Sequence, residues 1–141
     1  MADYLCKCRT NYFKITDEAA FRALCESCHS NNRIEIFSRG EDENKQYGFL
    51  CDGMIYGIPE DPKDEDSGEN YDAFISGLQE LLPKGEAILL QEVGSEKFRY
   101  LIGAVLVITA TETKYVEIKE IGLKIARELL RNPEYVTQID Y

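Results

Sequence analysis

Residues 86–111 read EAILLQEVGSEKFRYLIGAVLVITAT, and the division of this stretch into elements decides the fold. EAILLQEV at 86–93 and KFRYLIGAVLVITAT at 97–111 are rich in β-branched and aromatic residues, which predicts two strands, the second long and bent, about a Gly94-Ser95 turn. Phe98, Tyr100 and Ile102 fall on one face of the second strand, and Lys97, Arg99 and Gly103 on the other. KYVEIKE follows a Thr-Glu-Thr turn as another short strand. The stripe Ile118, Ile121, Ile125, Leu129 and Leu130 then predicts a helix over about 119–131, stopped by Asn132-Pro133.

Toward the N-terminus, YLCKCRTNYFKI at 4–15 alternates, with Tyr4, Cys6 and Cys8 on one face and Leu5, Lys7 and Arg9 on the other, as in a half-buried strand. Thr16 is placed to cap a helix in which Phe21, Leu24, Cys25 and Cys28 make the apolar stripe and His29 serves as a C-cap or solvent residue. RIEIFS at 33–38 and KQYGFLC at 45–51 flank a polar turn and predict a hairpin, with GMIYGI at 53–58 a further short strand. Tyr71, Phe74, Ile75, Leu78, Leu81 and Leu82 form one face of a helix closed by Pro83-Lys84-Gly85.

The order β-α-β-β-(β)-α-β-β-β-α, with one-faced helices, predicts the α+β class with a mostly antiparallel sheet. A ferredoxin-like βαββαβ start, an added hairpin and a C-terminal helix packed on the sheet fit that order, with the helices on one side. Halves of about 70 residues would each have a marginal core, so residues 1–141 are expected to form a single domain.

Sixteen Lys and Arg against 26 Asp and Glu give a net charge of −10, which opposes sequence-independent binding to nucleic acid or to anionic lipid. The charge is uneven: EDPKDEDSGENYD at 60–72 holds seven acids and one lysine, a net of −6, and predicts a solvated, exposed acidic loop at about 60–70. Glu60, Asp61, Asp64, Glu65, Asp66 and Glu69, with Tyr71 beside them, are the candidate residues for a basic partner, because such a patch steers association and competes with phosphate. Nine Tyr and no Trp also suit a protein interface.

Cys6, Cys8, Cys25 and Cys28 form a candidate four-thiolate zinc set joining the first strand to the first helix. Set against it, free cysteine is among the most buried residue types, and thiols two apart on a strand must lean inward to share a metal. Cys25-Glu-Ser-Cys28 has thioredoxin spacing but lies late in its helix, away from the N-terminal dipole that lowers a thiol pKa. The five cysteines are an odd number, no secretory leader is seen, and no apolar run approaches the ~20 residues of a membrane span. A reducing cytoplasm is therefore the expected setting. There is no phosphate-binding loop, dinucleotide fingerprint, HExxH or calcium loop, and no cofactor is expected. Arg9, Asn11 and Tyr12 with Lys97, Arg99 and Tyr100 make a second candidate surface, two polar-aromatic strings expected at adjacent sheet positions. An unpaired edge around 45–58 could continue the sheet across a homodimer axis.

MADYLCKCRTNYFKITD, EVGSEKFRYLIGAVLVIT and RELLRNPEYVTQIDY resemble small proteins of phages and other bacterial mobile elements, some of which neighbour anti-defence genes. The likeness is carried by residues 9–13, by 94–100, and by Asn132-Pro133 with Tyr141, while Cys6 and Cys8 depart from it. The resemblance implies an intracellular bacterial setting and an anti-CRISPR-like inhibitor of a nuclease or another defence protein. It carries no catalytic residues onto this chain. The expectation is a non-enzymatic acidic protein that occupies a basic surface of a nucleic-acid-handling or defence protein. The alternative is a module stabilised by zinc at the four cysteines.

Overall fold

The alternation in LCKCR survives folding: Cys6 and Cys8 are buried while Leu5, Lys7 and Arg9 face solvent on strand β1 (Leu5–Arg9). The structure is a computed structural model that describes residues 4–61, 63–97 and 100–138. The side chains of Glu65 and Tyr100 are also outside the described set. After β1 come α1 (Glu18–Ser27), β2 (His29–Ser30), β3 (Glu35–Arg39), β4 (Gln46–Cys51), β5 (Ile55–Asp61), β6 (Asp64–Asn70) and α2 (Tyr71–Leu81). They are followed by β7 (Ala87–Glu96), β8 (Tyr100–Thr109), β9 (Thr113–Glu117) and α3 (Ile118–Leu130).

The fold is mixed α+β, with three helices and antiparallel pairing throughout the described strands. Six strands form one sheet in the order β3-β4-β1-β7-β8-β9, and β2, β5 and β6 form a smaller one in the order β2-β5-β6. Since β4 lies between β3 and β1, and β5 between β2 and β6, residues 45–58 do not supply the unpaired edge expected for a homodimer. Those strands recruit partners far along the chain, which local alternation does not report.

Asp17, and not Thr16, caps α1, its Oδ1 accepting from the Ala20 amide at 3.1 Å. The α1 stripe buries Phe21 and Cys25, while α2 buries Phe74, Ile75 and Leu78. The core lies between these two helices and the large sheet, where Phe13, Phe21, Phe49 and Phe74 are fully enclosed. Their rings meet edge-on, with centroids 5.7 Å apart for Phe13–Phe21 and 6.0 Å apart for Phe49–Phe74, an arrangement favoured by the ring quadrupole.

Gly94 and Ser95 are strand residues, paired with Ile102 and Leu101, and the chain reverses beyond Glu96, which pairs with Tyr100. The glycine is required by space: a Cβ there would stand 2.4 Å from the Tyr4 hydroxyl oxygen and 2.7 Å from the Cys6 Cβ. The reversal begins at Lys97, whose φ of 48° is left-handed.

The C-terminal helix does not join the other two. Ala104 is buried on the face that α2 covers, whereas its neighbour Gly103 comes within reach of Ile118, so α3 lies against the opposite face. Only its first turns reach the sheet: Ile118 and Ile121 line a shallow groove there, while Ile125, Leu129 and Leu130 remain exposed. None of the helices is long and apolar enough to cross a membrane among the described residues.

Candidate functional site

The described part of the acidic stretch pairs as a hairpin where a loop was expected. β5 and β6 pair antiparallel through Ile58–Asn70, Pro59–Glu69 and Asp61–Asp64, with a bulge between the last two pairs. Acidic residues are poor strand formers, but main-chain pairing and short-range caps hold them here. The Ser67 hydroxyl accepts from the Asp61 amide at 2.9 Å, Asp61 Oδ1 from the Lys63 amide at 2.9 Å, and Asp64 Oδ1 from the Asp66 amide at 3.0 Å. Glu60, Asp61, Asp64, Asp66 and Glu69 are all exposed. Placing Asp61 directly opposite Asp64 costs stability through like-charge repulsion.

His29 is neither a C-cap nor a bare solvent residue. It pairs with Gly57 on β5, and its Nδ1 lies 3.2 Å from Glu69 Oε1, so the only histidine sits against the acidic hairpin. Tyr71 opens α2 directly after the hairpin, behind the Asn70 cap whose Oδ1 accepts from the Ala73 amide at 2.9 Å. Gly57, at φ +126°, lets β5 pass close to this helix start, since a Cβ would fall 2.5 Å from the Asn70 carbonyl oxygen.

The two polar-aromatic strings are not brought together. Arg9 stacks on Phe37 at 4.8 Å and Arg39 on Tyr12 at 4.0 Å, with Tyr12 and Phe37 edge-on at 5.1 Å. Asn11 binds the beginning of β7, donating to the Ala87 carbonyl at 3.1 Å and accepting from the Leu89 amide at 2.7 Å. Lys97 is at the other end of β7, about 27 Å away at the rise of an extended strand. Arg99 and the Tyr100 side chain lie outside the described residues. The first string is thus engaged by β3, Tyr12 by Arg39 and Arg9 by Phe37, which makes it part of a packed array and not an open stacking platform.

All five cysteines are buried free thiols. Cys8 pairs across the sheet with Cys51, while Cys25 and Cys28 sit at the end of α1. Burial pushes the Cys8 and Cys25 thiols up to about 12 and the Cys28 thiol up to about 11, so they stay protonated near neutrality. The thiols also donate to carbonyls, Cys51 to Asn32 at 3.3 Å and Cys28 to His29 at 3.7 Å. Among the described residues no group of three or more His, Cys, Asp and Glu side chains is placed to hold a metal ion.

One feature of the surface has no counterpart in the sequence expectations. A cavity of about 410 Å³ opens between the large sheet, β5 and the start of α2. Leu90, Ala104 and Leu106 line it from the sheet, and Tyr56, Tyr71 and Tyr115 are its partly exposed tyrosines. Glu92 is its single carboxylate, half-buried opposite Cys8 and Ala104, with Oε2 accepting from the Tyr4 hydroxyl at 2.6 Å. Burial, reinforced by that bond, pushes the Tyr4 phenol far up, and burial pushes Tyr71 up to about 12, so both hydroxyls remain donors. The signal was the alternation Ile88, Leu90, Glu92, which puts an acid where the inner face wants an apolar residue.

With this geometry in hand, comparisons of the chain with protein-family models, curated proteins and solved structures found no match.

Proposed function

We propose that this chain is a non-enzymatic interaction protein whose acidic hairpin occupies the basic, nucleic-acid-binding surface of a bacterial nucleic-acid-handling or defence protein. The observation that carries the reading is the pairing of β5 with β6, which displays the carboxylates on extended backbone. Asp64, Glu65 and Asp66 are consecutive on β6. Asp64 and Asp66 share one face of that strand, and at the rise of an antiparallel strand their carboxylates are spaced by ~6.8 Å toward a partner on that side. The repulsion between Asp61 and Asp64 supports the same reading, since a basic partner relieves a cost that the free protein carries. The resemblance to phage and mobile-element proteins directs the choice of partner toward host defence, and the setting toward the bacterial cytoplasm.

The core β1-α1-β3-β4-α2-β7 is read as ferredoxin-like, supported by the spatial order β3-β4-β1-β7, with β8, β9 and α3 as the extension. β5 and β6 are then an insertion between β4 and α2, paired with β2 from the α1–β3 connection, that serves to present the hairpin.

The test is capture from bacterial lysate at low and high salt, with a variant in which Glu60, Asp61, Asp64, Glu65, Asp66 and Glu69 are all replaced by their amides. Nucleic-acid-binding proteins retained at low salt by the native chain, released at high salt and missed by the variant support the proposal. A variant that retains the same proteins overturns it.

A further inference from the structure

The cavity beside Glu92 is chemically unlike the hairpin. Its walls are mostly apolar, none of its lining residues is basic, and its one charged group is a half-buried carboxylate. Tyr4 satisfies Oε2 with a neutral donor, and Oε1 accepts no hydrogen bond from the described residues. A carboxylate flanked by apolar walls gains most from a cation that brings its own charge into the same space.

The surroundings define that cation further. A bound metal ion takes several oxygen, nitrogen or sulfur ligands, whereas this cavity offers one carboxylate, neutral phenols and a buried Cys8 thiol held protonated. Aromatic rings beside an anion suit an organic ammonium ion, which the ring quadrupoles attract and whose alkyl surface is weakly hydrated. A volume of about 410 Å³ lies in the range of small-molecule sites. The net charge of −10 draws cations toward the protein from solution.

We propose that this cavity is a binding site for a small organic ammonium ion, its charged head beside Glu92 and among Tyr56, Tyr71 and Tyr115, its apolar body against Leu90 and Leu106. The charge that the site uses is separate from those of the hairpin proposal, because Glu92 belongs to the large sheet and none of Glu60, Asp61, Asp64, Asp66 and Glu69 lines the cavity, although β5 and Tyr71 border both.

The experiment is isothermal titration calorimetry of the full chain with benzyltrimethylammonium, and with benzyl alcohol as a neutral aromatic comparator, at fixed ionic strength. Saturable 1:1 binding of the cation, tighter than that of the alcohol, is expected. Glu92→Gln preserves the acceptor for Tyr4 and is expected to weaken the cation by about tenfold, equivalent to ~1.4 kcal/mol, with little effect on the alcohol. Tyr115→Leu, at a position 53% exposed, is a second variant that leaves the core untouched and is also expected to weaken the cation. The double variant Asp64→Asn/Asp66→Asn is expected to bind the cation as the native chain does. The proposal is overturned if the cation shows no saturable binding or binds no better than the alcohol. Equal affinity in the native chain and both cavity variants, or an equal loss in the hairpin variant, overturns it as well.

Discussion

Replacing Gly94 by alanine separates a strand position from a turn position. In a Gly-Ser turn an added methyl is tolerated or strains only the local backbone. In the sheet described above, Gly94 faces Cys6 on β1 and Ile102 on β8, with the Tyr4 ring lying across it. The new Cβ would stand 2.4 Å from the Tyr4 hydroxyl oxygen, 2.6 Å from its Cζ and 2.7 Å from the Cys6 Cβ. Real Cβ contacts are longer, so Tyr4 must move, and Cys6 must move with the backbone of a central strand. Overpacking of this kind costs about 1–3 kcal/mol. For a chain of 141 residues, each kcal/mol lowers Tm by roughly 3–4 °C, so Gly94→Ala is expected to melt about 3–12 °C below the native protein by differential scanning calorimetry. Gly122→Ala is the control: no atom lies within 4 Å of its Cβ and it is inside α3, so helix propensity predicts a gain of up to about 1 kcal/mol. An unchanged Tm for Gly94→Ala, or a gain like that of Gly122→Ala, would refute the close approach and restore the turn.

Two further outcomes follow from the electrostatics. Asp61→Asn/Asp64→Asn keeps both Oδ1 acceptors for the Lys63 and Asp66 amides but removes the facing charges; Tm is expected to rise by roughly 1–3 °C at low salt and by less at high salt, and a fall would mean that the carboxylates stabilise the hairpin. The buried thiols predict an alkaline loss: held near 12 in the folded chain for Cys8 and Cys25, they bind more protons folded than unfolded above the ordinary thiol value of about 8.5. Their contribution is complete below that value and falls as pH rises toward 12, so urea midpoints under reducing conditions should decline steadily from pH 8.5 to 10.5, and a flat profile would contradict their burial.

Much of the element order was legible because side-chain period and caps are local. YLCKCR declared its faces through alternation, and the stripe from Tyr71 to Leu82 declared α2. What failed was non-local. Gly94-Ser95 carries the composition of a turn, but the glycine answers to Tyr4, ninety residues earlier. The run at 60–72 has the composition of a solvated loop, and its strand exists because β5 supplies main-chain partners. The stripe of α3 marked an apolar face without saying which side of the sheet would meet it, and that stripe stays largely exposed. The cavity was the least legible feature, because Glu92, Tyr4, Tyr71 and Tyr115 come from four separate elements or their flanks.

The most direct measurement of the central claim is the salt dependence of affinity for a captured basic partner, compared between the native chain and the six-amide variant of the hairpin. Native binding is expected to weaken between about 50 and 200 mM salt as exposed charge pairs are screened, while the variant binds more weakly at low salt and with a much flatter dependence. Equal affinities and equal slopes for the two proteins would contradict it.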